Sequence, residues 1–274
     1  MLAHSEDTRI IAGGQTLVPL MAMRLARPKQ LIDIARIPDL AFVRHERDAI
    51  AIGATTRQCV LERDALVRAQ VPLLAKVMPF VGHPAIRVRG TIGGSLANAD
   101  PAAEIPLVAV TLGATMLYRE GMVNAEIAAA DFFLGPMMTA LPAAACLTAV
   151  RFPLWRDARI GVGFHEISAR PGDFAFAAAA AQIVVDADGV CRRLVVGIGA
   201  VAACPRRLDM PAKVLEGTRA EASLVRETVR AALADIEPLS DLHASADYRR
   251  RAAECLAARA ITDAYRAAEG AHAS

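Results

Sequence analysis

Two short glycine-rich stretches constrain this chain more than any other feature. The first, Ala12-Gly13-Gly14-Gln15-Thr16, follows Ile10-Ile11 and precedes an apolar run that opens with Leu17. The second, Gly90-Thr91-Ile92-Gly93-Gly94-Ser95, lies well downstream. The first reads as a turn between a strand and a helix, and the second repeats its glycine-rich character. Glycine accepts positive φ and lets other atoms come close to the backbone. Successive N–H groups in such a turn converge on one concavity, and a helix start adds partial positive charge. A single turn of this kind is as consistent with plain chain reversal as with an anion cradle. Two in one domain suit a long ligand with a negatively charged middle, the shape of a dinucleotide. Neither stretch is G-x-G-x-x-G or a P-loop, so the Rossmann and P-loop readings do not apply.

Around these turns the pattern predicts an α+β chain. A helix is expected over residues 17–25, a strand over 31–34, and another over 49–54 whose following helix Thr55 or Thr56 would cap. A helix over 102–112, a strand over 115–118 and a strand over 146–152 close the first part. The polar stretch 155–159 reads as a boundary between a domain over 1–157 and a smaller one over 158–270. In the second part, an Ala/Val run over 174–185, the turn Asp186-Ala187-Asp188-Gly189 and residues 194–198 give a hairpin signal. Thr218 and Glu221 have capping-box spacing before Val225, Val229, Ala232 and Ile236. Ser245 is placed to cap a last helix carrying Tyr248, Ala252, Cys255, Leu256 and Ala260 on one face. The run Arg249-Arg250-Arg251 reads as a solvated face of that helix.

Composition removes several function classes. A net charge of +2 and an aromatic content of 4% argue against nucleic-acid binding. The cysteines, Cys59, Cys146, Cys191, Cys204 and Cys255, lack cluster or zinc spacing and are odd in number. They read as small buried hydrophobes in a reducing cytoplasm. No signal peptide is expected from the polar residues 1–9. Residues 128–150 are apolar but carry Asp131, Gly135, Pro136 and Pro142, so a buried, turn-rich segment is expected rather than a membrane span.

Other candidate chemistries are weaker. Ser95 lacks the G-x-S-x-G setting of a hydrolase nucleophile. Met21, Met23, Met137 and Met138 read as core filler. Asp33 and Asp39 read as strand-end and turn residues, leaving Glu104, beside Asp100, as the carboxylate of interest. His83, in Val81-Gly82-His83-Pro84, reads as a loop residue.

The run Ala12-Gly13-Gly14-Gln15-Thr16-Leu17-Val18-Pro19-Leu20-Met21, with Arg24-Leu25-Ala26-Arg27-Pro28 after it, resembles the first FAD loop of molybdenum hydroxylase flavoprotein subunits. That family is typified by xanthine dehydrogenase and aerobic carbon monoxide dehydrogenase. The stretch from Arg89 through Thr91, Ile92, Gly93, Gly94 and Ser95 to Asp100 and Glu104 is similar to the family's second loop. Gly163-Phe164-His165-Glu166, continuing to Arg170-Pro171-Gly172-Asp173-Phe174-Ala175, is a third match. Ser240-Asp241-Leu242-His243, continuing to Arg249-Arg250, is a fourth. The matches keep their order along nearly the whole chain.

The resemblance implies a two-subdomain FAD-binding domain of the alcohol-oxidase/cresol-methylhydroxylase type, followed by a smaller α+β C-terminal domain. It implies that Ala12, Gly13, Gly14, Gln15, Thr16 and Leu17 wrap the FAD diphosphate, and that Thr91 to Ser95 approach the diphosphate and flavin. It places Glu104 on the cofactor's sugar or ribityl hydroxyls, and Leu147 and His165 at the FAD site. A histidine satisfied at a domain boundary is the competing reading of His165. The partners implied are a large molybdopterin-binding subunit and a small [2Fe-2S] subunit, assembled as a dimer of heterotrimers. Relatives carry a further strand–helix unit before the first loop, which is expected to be missing here through a misplaced start. A self-contained flavin oxidoreductase and a flavin-free assembly subunit are the competing functions.

Overall fold

The computed structural model describes residues 7–270. Its first unit is parallel: β1 (Thr8–Ile11) pairs with β2 (Gln30–Asp33), Ile10 facing Ile32, with α1 (Leu17–Ala22) crossing between them. The helix stops short of the expected residue 25 because Arg24 takes a φ of 60° and turns the chain back.

A five-stranded antiparallel sheet follows, in the order β3 (Val43–His45), β4 (Ala49–Gly53), β9 (Ala145–Pro153), β5 (Thr115–Glu120), β6 (Val123–Ala128). Between β4 and β5 run six α-helices: α2 (Gln58–Leu61), α3 (Ala65–Gln70), α4 (Pro72–Val77), α5 (Pro84–Arg89), α6 (Ile92–Asn98) and α7 (Glu104–Leu112). The apolar stretch after β6 is turn-rich as expected, forming α8 (Ala129–Phe132) and the hairpin β7 (Phe133–Gly135), β8 (Met138–Thr139). It is not buried throughout: Leu134, Met137 and Met138 are exposed, so these two methionines are not core filler. Among the described residues no helix is long and apolar enough to cross a membrane.

Thr55 and Thr56 do not cap α2. The Thr56 hydroxyl instead donates to the Phe42 carbonyl and accepts from the Phe42 amide. The segment from α2 to α5 is fastened by one buried guanidinium. Arg87 is bidentate to Glu62 at 3.0 and 3.2 Å and donates to the carbonyls of Val81 and Gly82.

The C-terminal half is a four-stranded antiparallel sheet, β10 (Ile160–Ser168), β11 (Ala175–Val185), β12 (Cys191–Gly199) and β13 (Arg206–Arg207). It is completed by α9 (Asp209–Leu215), α10 (Ala222–Ala232) and α11 (Ala246–Gly270). The expected hairpin is present, with Gly189 at φ 78° in its turn. Both faces of this sheet are covered, which explains the Ala/Val run. Ala178, Ala180 and Val184 of β11 join the N-terminal core, while Ala177, Ala179, Ala181, Ile183 and Val185 join a second core beneath α9, α10 and α11.

Glycines set the close approaches. A Cβ on Gly161 or Gly163 would overlap the carbonyl oxygens of Ala264 and Ala260, so α11 lies directly on β10. A Cβ on Gly197 or Gly199 would strike Leu107, and at Gly197 also the Thr111 hydroxyl, so α7 lies directly on β12. Every residue of α7 is buried. Such a helix must be enclosed by protein on all sides, and here it is the seam between the two halves. The chain's single tryptophan, Trp155, is 5% exposed in the N-terminal core, and the Arg193 guanidinium of β12 stacks 3.8 Å from its ring centroid.

Of the arginine run at the start of α11, only Arg251 lies on a solvated face. Arg249 is 4% exposed and donates to the carbonyls of Phe176 and Ala200 and to Asp241, each at 2.6 Å. Arg250 donates to the Leu233 and Ile236 carbonyls beyond α10. The Thr218 hydroxyl, expected to cap α10, donates to the Leu215 carbonyl and closes α9; Glu221 takes the N-cap position. Ser245 does accept from the Tyr248 amide.

Gly163→Val should separate α11 from β10, since neither the strand nor the Ala260 carbonyl can yield. A loss of about 3 kcal/mol or more is expected from overpacking against backbone. It would be read as a fall in thermal midpoint of the full chain; a melt matching wild type would refute this account of the helix–sheet contact.

Candidate functional site

The two glycine turns touch. A Cβ on Gly13 would overlap the Arg89 carbonyl oxygen and lie 2.9 Å from the Gly90 Cα. The Arg57 guanidinium donates to that same Arg89 carbonyl, tying the start of α2 to the junction. The chain thus brings together two turns that are far apart in sequence.

They do not do the same work. In the first turn Gly14 has a φ of 72°, and the Gln15 side chain closes back on the Gly13 carbonyl at 3.1 Å. Among the described residues the amides of Gly13, Gly14, Gln15, Thr16 and Leu17 meet no protein acceptor. Consecutive unclaimed N–H groups around a positive-φ glycine form an anion-binding nest. Gly13 is buried, Thr16 is exposed, and Ala12, Gly14, Gln15 and Leu17 lie between these extremes.

In the second turn every amide from Ile92 to Ser95 is already used. Ile92 donates to the Thr56 carbonyl, Gly93 to the Ala54 carbonyl, Gly94 to the Thr91 hydroxyl and Ser95 to the Thr91 carbonyl. The sequence reading of two equivalent amide cradles therefore needs correction. Gly93 lacks a side chain because Ala54 occupies that space, with its Cβ 2.5 Å from where a Gly93 Cβ would be. The turn acts as a wall against the first one, with Gly94 exposed and Ser95 half-buried at its surface. Leu147 belongs to the same layer. Its side chain is buried in the core, and the next residue, Thr148, accepts through its carbonyl from the Ala54 amide.

Helix α6 ends at Ala99 with a φ of 52°, and Asp100 then accepts from the Ala102 amide at 2.9 Å. That turn delivers Glu104 to the first position of α7, where it is the helix's one ionisable residue and only 8% exposed. No side-chain donor reaches its carboxylate among the described residues. Burial pushes its pKa up to about 8, helped by the charges of Glu166 and Asp100 and opposed by its own amide. Glu166 is likewise pushed up to about 7 by burial, and its Oε2 atom is buried without a hydrogen-bond partner.

His165 departs from expectation. Along β10, Gly161 and Gly163 face α11, and His165 falls on the same side by strand alternation. Its Nε2 lies 2.9 Å from Asp263 of α11, so the histidine is satisfied within the C-terminal half. The neighbouring Glu166 takes the opposite face, towards Glu104. The two side chains thus lie on opposite faces of β10, with His165 against α11. His83 abuts the turn between β10 and β11, its ring 2.8 Å from where a Gly172 Cβ would stand.

An amide nest, a wall beside it and a buried carboxylate that no other side chain engages have the chemistry to hold a dinucleotide. Residues 1–155 match the family described as the FAD binding domain in molybdopterin dehydrogenase, and residues 163–264 match the CO dehydrogenase flavoprotein C-terminal domain. The chain is 34% identical to the carbon monoxide dehydrogenase medium chain of Afipia carboxidovorans, covering 93% of this chain and 88% of that one. It is 32% identical to the 6-hydroxypseudooxynicotine dehydrogenase complex subunit alpha of Paenarthrobacter nicotinovorans, over 94% and 87% respectively. Among solved structures, quinoline 2-oxidoreductase from Pseudomonas putida 86 superposes with a TM-score of 0.92 at 35% identity, covering 97% of this chain and 92% of that one. With this architecture and these relatives, the chain belongs to the molybdenum hydroxylase family, as an FAD-binding flavoprotein subunit of an oxidoreductase.

Proposed function

We propose that this chain is the electron outlet of a larger complex, with a large molybdopterin subunit and a small [2Fe-2S] subunit as its partners. When bound, FAD supplies the redox chemistry that takes electrons from the partner's clusters and gives them to an external acceptor. The observation that carries the reading is the row of unclaimed amides from Gly13 to Leu17 packed against the second glycine turn. The relatives' names support the partner assignment: they include a medium chain and a subunit of a dehydrogenase complex. The cysteines of this chain are free and widely spaced in sequence, which suits cluster ligands being on another subunit.

In this reading the domains run over 1–157 and 158–270. Ala12, Gly13, Gly14, Gln15, Thr16 and Leu17 hold the diphosphate through backbone amides. Thr91, Ile92, Gly93, Gly94 and Ser95 shape the adjoining wall, with Leu147 behind it. Glu104 accepts from cofactor hydroxyls. His165 is not assigned a contact, because Asp263 already engages it.

Two outcomes test this. The full-length chain, stripped and resupplied with FAD, should keep flavin absorbance through desalting. Gly13→Val should lower its FAD affinity by at least about tenfold, because the new side chain forces the two turns apart. Wild-type flavin retention in a folded Gly13→Val protein would overturn the nest assignment.

The second outcome concerns pH. Glu104 binds its proton more tightly folded than unfolded, so the flavin-free chain should lose stability as pH rises from about 4.5 to about 8. Glu104→Gln should flatten that slope in thermal melts taken across this range. An unchanged slope would show that Glu104 does not titrate as its burial dictates.

A further inference from the structure

We infer that Glu166 is the C-terminal half's ligand for the cofactor. With Glu104 it forms a pair of carboxylates, one from each half, accepting hydrogen bonds from uncharged hydroxyl or N–H donors of bound flavin dinucleotide. The inference rests on the FAD reading above and deepens it.

Three observations carry it. Strand alternation puts Phe164 and Glu166 on the face of β10 opposite Gly161, Gly163 and His165. Phe164 confirms that face by meeting Phe80 of the N-terminal half, ring centroids 4.9 Å apart. The Glu166 Oε2 atom is buried with no partner, and Glu104 is 8% exposed with no side-chain donor among the described residues. The charged groups acting on Glu104 are Glu166 from β10 and Asp100 from the turn between α6 and α7; no cation acts on it.

Acceptors left buried without donors are costly, and two facing acids are more so. The proton held by the empty pair is a single donor; once it leaves, both carboxylates only accept, and their donors must come from outside the chain. The donor cannot belong to an anion, because a phosphate would be repelled by the pair. It must be a neutral, donor-rich group, such as a polyol chain or a ring N–H. The two groups thus divide the ligand by charge: the amides of the Gly13 turn take the negative diphosphate, and the carboxylates take the neutral remainder.

Proton bookkeeping gives a readout that packing alone would not move. Burial raises the pKa of both acids, so the empty site holds a proton near pH 7. Hydrogen bonds to the ionised form favour its release when the cofactor binds. The test is calorimetric titration of FAD into the stripped full-length chain at pH 7.5, in two buffers of different ionisation enthalpy. Wild type should release part of a proton. Glu166→Gln should bind FAD about tenfold more weakly, release less, and shift the bound flavin's midpoint potential upward, since one negative charge beside the more negative reduced flavin is gone. His165→Ala should change affinity by less than about twofold, because its side chain lies on the other face.

Wild-type affinity and proton release in Glu166→Gln, or a greater loss in His165→Ala, would overturn the inference. Failure of wild type to take up FAD would instead overturn the proposed function. If Glu166→Gln does not fold, Glu166→Asp carries the same test: weakened binding with proton release retained supports the pair, and undiminished affinity sinks it.

Discussion

The contact on which the rest depends is that of α7 with β12. A helix buried on every side can exist only if two bodies close around it, and Gly197 and Gly199 let the C-terminal sheet come close enough to do so. This one seam merges the cores, because Phe164, Ala178, Ala180 and Val184 of the second half belong to the hydrophobic cluster of the first. It also fixes the chemistry. Glu104 opens α7 and Glu166 lies on β10 of the same sheet that α7 packs against, so the packing that joins the halves is what brings two acids within range of each other.

The glycine turns divide their labour by the same logic of hydrogen bonding. A turn whose amides are all engaged is rigid and chemically mute, and the second turn, locked to Ala54, Thr56 and Thr91, is of that kind. A turn with unengaged amides has binding capacity but needs support. The first turn receives it from the Arg89–Gly90 backbone, which in turn is held by Arg57 and, through α5, by the Arg87–Glu62 pair. The first turn is therefore supported by a salt bridge that lies on α5 and beside α2.

Much of the fold was legible because its signals were local. The hairpin of β11 and β12 announced itself by an Asp-Gly turn between apolar runs, and the turn-rich reading of residues 128–150 followed from prolines that no membrane helix would carry. Caps were less legible. Thr56 and Thr218 have the right chemistry at the right spacing, yet tertiary neighbours took their hydroxyls first. The arginine run was misread for a related reason: nothing local says that Arg249 will be drawn under the sheet by the carbonyls of Phe176 and Ala200, which lie far off in sequence. In the site, the turns and Glu104 were visible from residue type and motif. The pairing of His165 with Asp263, which leaves Glu166 on the other face, was not, because it depends on which face of β10 α11 covers. The signal was present, however: Gly161 and Gly163 share a parity with His165, and paired small residues on one side of a strand mark where a helix lies close.

Trp155 gives the seam one more property. It is the chain's sole indole, anchored in the first half, and its ring is covered by a guanidinium from the second. Separation of the halves would uncover the ring from Arg193. The protein thus carries a built-in fluorophore whose emission reports whether its two halves are packed together, with no label needed.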